Sequence, residues 1–160
     1  MQFLPSDSAE RSTFEAIFQL LDGASRDVIG PAEPRLLVIP IRHDGGDVIG
    51  GLWAVSLFRW LHLEMLFVPE PMRGQGVGAA LVASAETEAR SRGCLGIYVD
   101  ALSFQATRFY EKMGFSIFGV LDDCPPGHRR LFFQKRLVPP VRRGQIFQGD
   151  QMPGLTKCSD

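Results

Sequence analysis

A chain of 160 residues, 45% of them apolar, has one domain's length and enough hydrophobic material for a real core. Its formal net charge is −1, so no global electrostatic footprint points to nucleic acid or to an anionic membrane surface. Three scattered cysteines (Cys94, Cys124 and Cys158) make no disulfide framework and favour a reducing compartment.

The N-terminal MQFLPSDSAERS lacks a basic start followed by an apolar core, so it does not read as a signal peptide. No apolar run approaches the ~20 residues of a membrane span. The expectation is a soluble, cytoplasmic protein with no membrane or nucleic-acid partner. Cys124 and His128 are spaced as metal ligands sometimes are, but no second Cys or His cluster accompanies them, and no metal is expected.

After the cap-like Ser6-Asp7-Ser8, residues 9 to 22 read as an amphipathic helix. Phe14, Ile17, Phe18 and Leu21 share one face, and Gly23 is the expected stop. A connection punctuated by Gly30, Pro31 and Pro34 leads to the strand RLLVIPIR. Asp44-Gly45-Gly46-Asp47 has hairpin-turn chemistry. The next strand, VIGGLWAVSLF, contains Gly50 and Gly51, where a bulge is expected. Trp60 to Val68 is a third strand, completing an antiparallel meander.

A glycine-rich loop and a helix from about 75 to 92 follow, with Val77, Leu81, Ala85 and Ala89 as the inner stripe. Glu86–Arg90 and Glu88–Arg92 are spaced as helical ion pairs, and Gly93 suits the residue after the helix. LGIYVD is a strand, 104 to 113 a short helix, FSIFGVL a strand, and RRLFFQKRL closes the sheet after the DDCPPGH loop. Residues 1–137 form the expected domain, and 138–160, with prolines and glycines but no periodicity, an irregular C-terminal tail. The fold class is mixed α/β, with about six to seven strands and flanking helices.

Arg73-Gly74-Gln75-Gly76-Val77-Gly78-Ala79 presents backbone N–H groups at a helix start with little side chain in the way, a cradle suited to phosphate oxygens. Read alone, it is open to three meanings. It is a glycine-rich helix cap, or a dinucleotide fingerprint, or an acyl-CoA loop. Gly74, Gly76 and Ala79 fit G-x-G-x-x-G/A, and Asp100 stands about where a ribose-binding carboxylate would. Against that, five residues separate strand and first glycine, and a helix and a meander come first.

Arg73-x-x-Gly76-x-Gly78 after VPEPM resembles the acyl-CoA loop of the GNAT superfamily of N-acetyltransferases, and residues 103 to 115, SFQATRFYEKMGF, resemble that family's N-x-x-A-x-x-F-Y-E-K-x-G-F segment. The order of elements over residues 1 to about 137 matches as well. The resemblance implies a GNAT-like acyl-CoA N-acyltransferase fold and transfer of acetyl from acetyl-CoA to a primary amine, on a small molecule, a peptide or a protein, in a ternary complex. It places the CoA pyrophosphate on the amides of Gly74, Gln75, Gly76, Val77, Gly78 and Ala79. Arg73 either adds a charge contact or only pins the loop. A splayed strand would offer amides near Leu66 and Val68 to the pantetheine arm, with that of Leu66 or Phe67 polarising the thioester carbonyl.

Tyr110 falls on the family's thiolate-protonating tyrosine, against the alternative that it simply packs a short helix. Strict alternation puts Trp60, His62, Glu64, Leu66 and Val68 on one face, where two titratable groups sit among large apolar ones. Glu64 is the first candidate for the base and His62 the second, the alternative being a satisfied polar pair at the sheet surface. Ser103 stands where the family has asparagine, and either Ser103 acting through water or Gln105 is expected to take that job. Asp100 is expected to cap the following turn. The other function classes that remain are a non-catalytic acyl-CoA-binding module of the same fold and a dinucleotide-binding oxidoreductase. Homodimerisation is the default expectation for a small enzyme.

Overall fold

The computed structural model describes residues 7, 8 and 10–139. Helix α1 (Arg11–Ile29) precedes three strands, β1 (Arg35–Arg42), β2 (Val48–Leu57) and β3 (Trp60–Phe67). A short 3-10 turn (Glu70–Met72), helix α2 (Val77–Ser91), β4 (Gly96–Leu102), helix α3 (Thr107–Lys112), β5 (Ser116–Asp122) and β6 (Arg129–Arg136) complete it. Among the described residues the strands form one six-stranded sheet in the order β1-β2-β3-β4-β6-β5, with β3–β4 its parallel pair and the other neighbours antiparallel. This is the expected mixed sheet with flanking helices. It is not the parallel sheet a dinucleotide fold requires. Ser6 and residues 140–160, most of the expected tail, lie outside the described residues.

The core forms where α2 meets one face of the sheet. Leu81, Val82, Ala85 and Ala89 of α2 are buried with Leu61 and Leu63 of β3, Ile97 and Val99 of β4, and Phe133 of β6. The alanines are fully inaccessible, and their small side chains let the helix axis lie close to the strands. Polar ties then fix the helix in rotation. Lys135 of β6 pairs with Glu86, and Arg90 donates to the Leu137 carbonyl at 2.8 Å. Glu86 is therefore not the partner of Arg90 that the helical spacing predicts, because a sheet lysine reaches it first. The expected Glu88–Arg92 pair does form, at 2.6 Å.

Helix α1 runs seven residues beyond its expected end. Gly23 sits inside it, spanned by the Asp22–Arg26 pair at 2.5 Å, and ASRDVI continues the helix to a stop at Gly30, whose φ is +77°. One glycine costs a helix about 1 kcal/mol and does not end it when the flanking residues agree. The bulge expected at Gly50 and Gly51 lies beside them: Ile41 faces Gly50 and Arg42 faces Val48, leaving Ile49 as the extra residue. Gly51 has its own reason to be glycine, since at φ +137° a Cβ would stand 2.3 Å from the Ile39 carbonyl oxygen. The turn at residues 44–46 and the positive φ of Gly93 are as expected.

Candidate active site

Strands β3 and β4 pair in register only from Trp60–Gly96 to Leu63–Val99. Beyond that point β4 continues on β6 while β3 continues on β2, so the two strands part and a cleft opens between them. A second bulge sits at the parting. Ala54 of β2 faces Leu63 and Trp53 faces Met65, so Glu64 is the unpaired extra residue. An extra residue shifts the alternation by one. Trp60, His62 and Met65 therefore share the open face of the sheet, while Leu66, opposite buried Leu52, turns to the α2 side, as does Val68. The five-residue face from Trp60 to Val68 expected from strict alternation does not exist. Glu64 is freed from either face and lines the cleft instead.

The cleft has a volume of about 980 Å³. At one end it is lined by Arg73, Gly74, Gly76, Val77, Gly78 and Ala79, and along β3 by Leu66, Phe67 and Val68. Gly74 (φ +71°) and Gly76 (φ +83°) take left-handed conformations, and nothing stands within 4 Å of where their Cβ atoms would be. Gly76 is the N-cap of α2 and supplies no side-chain cap, so the first-turn amides face the cleft with no side-chain acceptor. That is a surface an anionic ligand can approach, and it fits a pyrophosphate. Arg73 donates from Nε to the Val68 carbonyl at 3.0 Å, pinning the loop to the end of β3. Gln75, outside the cleft lining, braces the loop through the Pro71 carbonyl at 2.7 Å.

Tyr110 reaches the cleft from α3 while being 8% exposed, packed against Phe115 and Phe133 at ring distances of 5.8 and 5.5 Å. Burial, with a smaller contribution from the Asp100 carboxylate, pushes its phenol up to about 12. The phenol thus keeps its proton throughout the neutral range. Gln105 also lines the cleft, and its Oε1 accepts from the Leu102 amide at 2.8 Å. Ser103 does not reach the lining. It is bonded both ways to Arg129, its amide donating to the Arg129 carbonyl at 2.7 Å and its Oγ accepting from the Arg129 amide at 3.1 Å.

His62 lies behind Glu64 on the open face, stacked on the Tyr98 ring at 4.3 Å. Its Nδ1 is 3.8 Å from Glu64 Oε1 and its Nε2 is 3.6 Å from Asp100 Oδ1. Asp100 Oδ2 in turn accepts from Arg130 at 2.6 Å. Burial, then Glu64 and Asp100, hold the Tyr98 phenol above its ordinary value. Asp100 is not the turn cap expected of it. It lies inside β4, opposite Phe132, lines the cleft, and belongs to a Glu64–His62–Asp100–Arg130 cluster. Sequence reading missed Asp100 and Arg130 as site residues. The available signal was the period-two series Tyr98, Asp100, which puts a carboxylate beside an aromatic on the face that carries His62.

The site is thus a cleft between splayed β3 and β4, with a glycine-lined helix start at one end and the titratable Glu64, Asp100 and Tyr110 along its walls. Residues 5–115 match the model of the Acetyltransferase (GNAT) family. Acetyltransferase Atu2258 of Agrobacterium fabrum is 40% identical over 136 residues, 85% of this chain and 99% of that protein. Blasticidin-S acetyltransferase of Streptomyces morookaense is 40% identical over 83 residues, 51% of this chain and 61% of that protein. A crystal structure of an acetyltransferase from Bacillus cereus superposes with a TM-score of 0.69 at 32% identity, over 84% of this chain and 98% of that one. The chain belongs to the GNAT family and is an acetyltransferase. The family uses acetyl-CoA.

Proposed function

We propose that the chain moves acetyl from acetyl-CoA directly to a primary amine, with Glu64 as the base and Tyr110 as the acid. One observation carries the reading: Glu64, from the bulge of β3, and Tyr110, from α3, line the same cleft as the glycine loop. When bound, the cosubstrate supplies an activated acetyl thioester. The amides from Gly74 to Ala79 hold its pyrophosphate, aided by the positive end of α2. Arg73 pins that loop through its Nε–Val68 bond, and its Nη groups remain to add a charge contact to the pyrophosphate. The amide of Leu66 or Phe67 polarises the thioester carbonyl, and Gln105 takes the place of the asparagine the family has at Ser103.

Glu64 removes a proton from the acceptor ammonium, which has no lone pair until it does so. His62, between Glu64 and Asp100, is the alternative base and the route by which a proton leaves the cleft. Tyr110 returns a proton to the departing sulfur. Its raised value keeps the proton available, and the apolar walls that disfavour phenolate also disfavour free thiolate, which keeps the two proton affinities near each other. Relatives are named for blasticidin S, peptidyl-lysine and glucosamine 6-phosphate, all of which carry amines. No helix of the described residues is long and apolar enough to cross a membrane, and a cytoplasmic site of action accords with the acetyl-CoA supply there.

Thiol release from acetyl-CoA, followed over a panel of small primary amines, lysine peptides and amino sugars, tests the reading. Amine-dependent thiol release is expected. A raised melting temperature with acetyl-CoA but no release with any amine would favour a binding module, and no shift in either assay would remove acetyl-CoA from the site. At a hundred times its Kd a ligand adds about 2.7 kcal/mol, several degrees for a chain of this size.

A further inference from the structure

Helix α1 has 19 residues, and none of those described is buried. Its apolar stripe is in open solvent, with Phe14 at 67%, Leu21 at 64% and Val28 at 85% exposure, and the rings of Phe14 and Phe18 are stacked flat at 6.2 Å. A helix of this length with an internal glycine is marginal in water without a surface to pack on. The sheet has the matching deficit. α2 covers one face, while on the other Leu36 and Val38 of β1, Trp53 of β2 and Met65 of β3 are exposed. Val38 pairs with Trp53 and Trp53 with Met65, so these side chains form one contiguous apolar patch across three strands. A sheet face of this kind calls for a second layer.

The helix is held away from its own sheet. Asp22 Oδ1 accepts from the Ala32 amide at 2.5 Å, and the Gly30 amide donates to the Arg26 carbonyl at 2.9 Å, so the connecting segment is bonded back onto the helix end. Pro31 and Pro34 stiffen the same short connection.

We propose that the cover is a second copy of this chain: α1 of each protomer lies with its Phe14–Ile17–Phe18–Leu21 stripe on the open sheet face of the other. Such an exchange is self-complementary and closes on a two-fold axis. A helix of this length is about 28 Å long and about 10 Å wide, and an exchange buries two helix faces and two sheet patches, about 1,100 Å², which clears the size a specific dimer needs. The patch continues into the site. Met65 lines the cleft and adjoins Glu64, so the partner's helix completes the wall at the acceptor end.

Light scattering on the chromatographed protein measures this directly. The wild-type chain is expected at twice 17.7 kDa, and Phe14→Glu with Leu21→Glu at one chain mass with the circular dichroism of a folded sheet. Because charges on α1 can also unravel that helix, a second measurement uses cysteine pairs. Chains carrying Ile17→Cys and chains carrying Val38→Cys, mixed and oxidised, are expected to give a reducible two-chain band above the unmodified chain's background. A wild-type protein at one chain mass overturns the proposal. So does a dimer indifferent to the α1 substitutions, as it would be if residues 140–160 were the cover. So does a chain with both cysteines that closes within itself, which would put α1 on its own sheet.

Discussion

Tyr110 stands in two environments at once, and its titration reports on both. Its value lies at about 12 against 10.0 for a free phenol. The unfolded chain therefore loses the proton first as pH rises. The stability associated with the neutral, buried phenol is fully present below pH 10 and is lost as pH climbs through about 12, a change of about 2–3 kcal/mol. Denaturant titrations across that window should show a larger loss in the wild type than in Tyr110→Phe, which keeps the ring contacts with Phe115 and Phe133 and retains the raised Tyr98 phenol. The same substitution should lower kcat by about 10²-fold with little change in acetyl-CoA affinity, and full activity would remove the phenol from the mechanism. Glu64→Gln should flatten the acid limb of the pH–rate profile. A limb that survives in Glu64→Gln but vanishes in His62→Gln assigns the base to the imidazole.

At the scale of elements, two irregular features decide the site, the bulge within β3 and the glycine loop between β3 and α2, and they differ in how visible they are in the residues. The glycine loop can be read because every part of it is local: prolines end the strand, glycines supply positive φ, and a helix stripe follows. The bulge at Glu64 cannot. HLEML looks like continued alternation, and only the pairing of Ala54 with Leu63 and Trp53 with Met65 shows that one residue has dropped out of count. That is why His62 and Glu64 were expected on one face with Leu66 and are not. Gly76→Asp should weaken acetyl-CoA binding by more than tenfold, through a carboxylate facing the pyrophosphate and a side chain forced to φ +83°. Equal affinity in calorimetry would reduce the loop to a helix cap. Gly51→Ala tests the other glycine pair. A Cβ 2.3 Å from one backbone oxygen and 2.8 Å from Pro40 Cα has nowhere to go, and a loss of about 3 kcal/mol is expected in denaturant unfolding.

For the molecule as a whole, the order of elements along the chain and the α2 core stripe were legible because they follow from local pattern, whereas RRLFFQKRL, expected to close the sheet, lies inside it between β4 and β5. The meander, the α2 stripe and the later strands each carry their own turn and periodicity signals, and Leu81, Ala85 and Ala89 are buried as their spacing requires. What was hidden depends on residues far apart meeting. Asp100 finds Arg130 only through the β4–β6 register, and Glu86 finds Lys135 only once α2 lies across β6. The end of α1 was misjudged for a related reason, since a single glycine weighs less than the six helix-compatible residues after it.

The parting of β3 from β4 leaves an unzipped seam in the middle of the sheet rather than at its rim. Backbone amides at a rim exchange with solvent quickly, and those in an interior strand ordinarily exchange slowly. The lip formed by Leu66, Phe67 and Val68 should therefore break that rule, exchanging hydrogen for deuterium far faster than Leu61 to Leu63 on the same strand. Saturating acetyl-CoA should slow it by at least tenfold, because an extended ligand arm along that lip stands in for the strand that β4 ceases to be. Exchange at the lip that is already slow without ligand, or that ignores it, would mean that the seam is closed and that the cleft is used by something else.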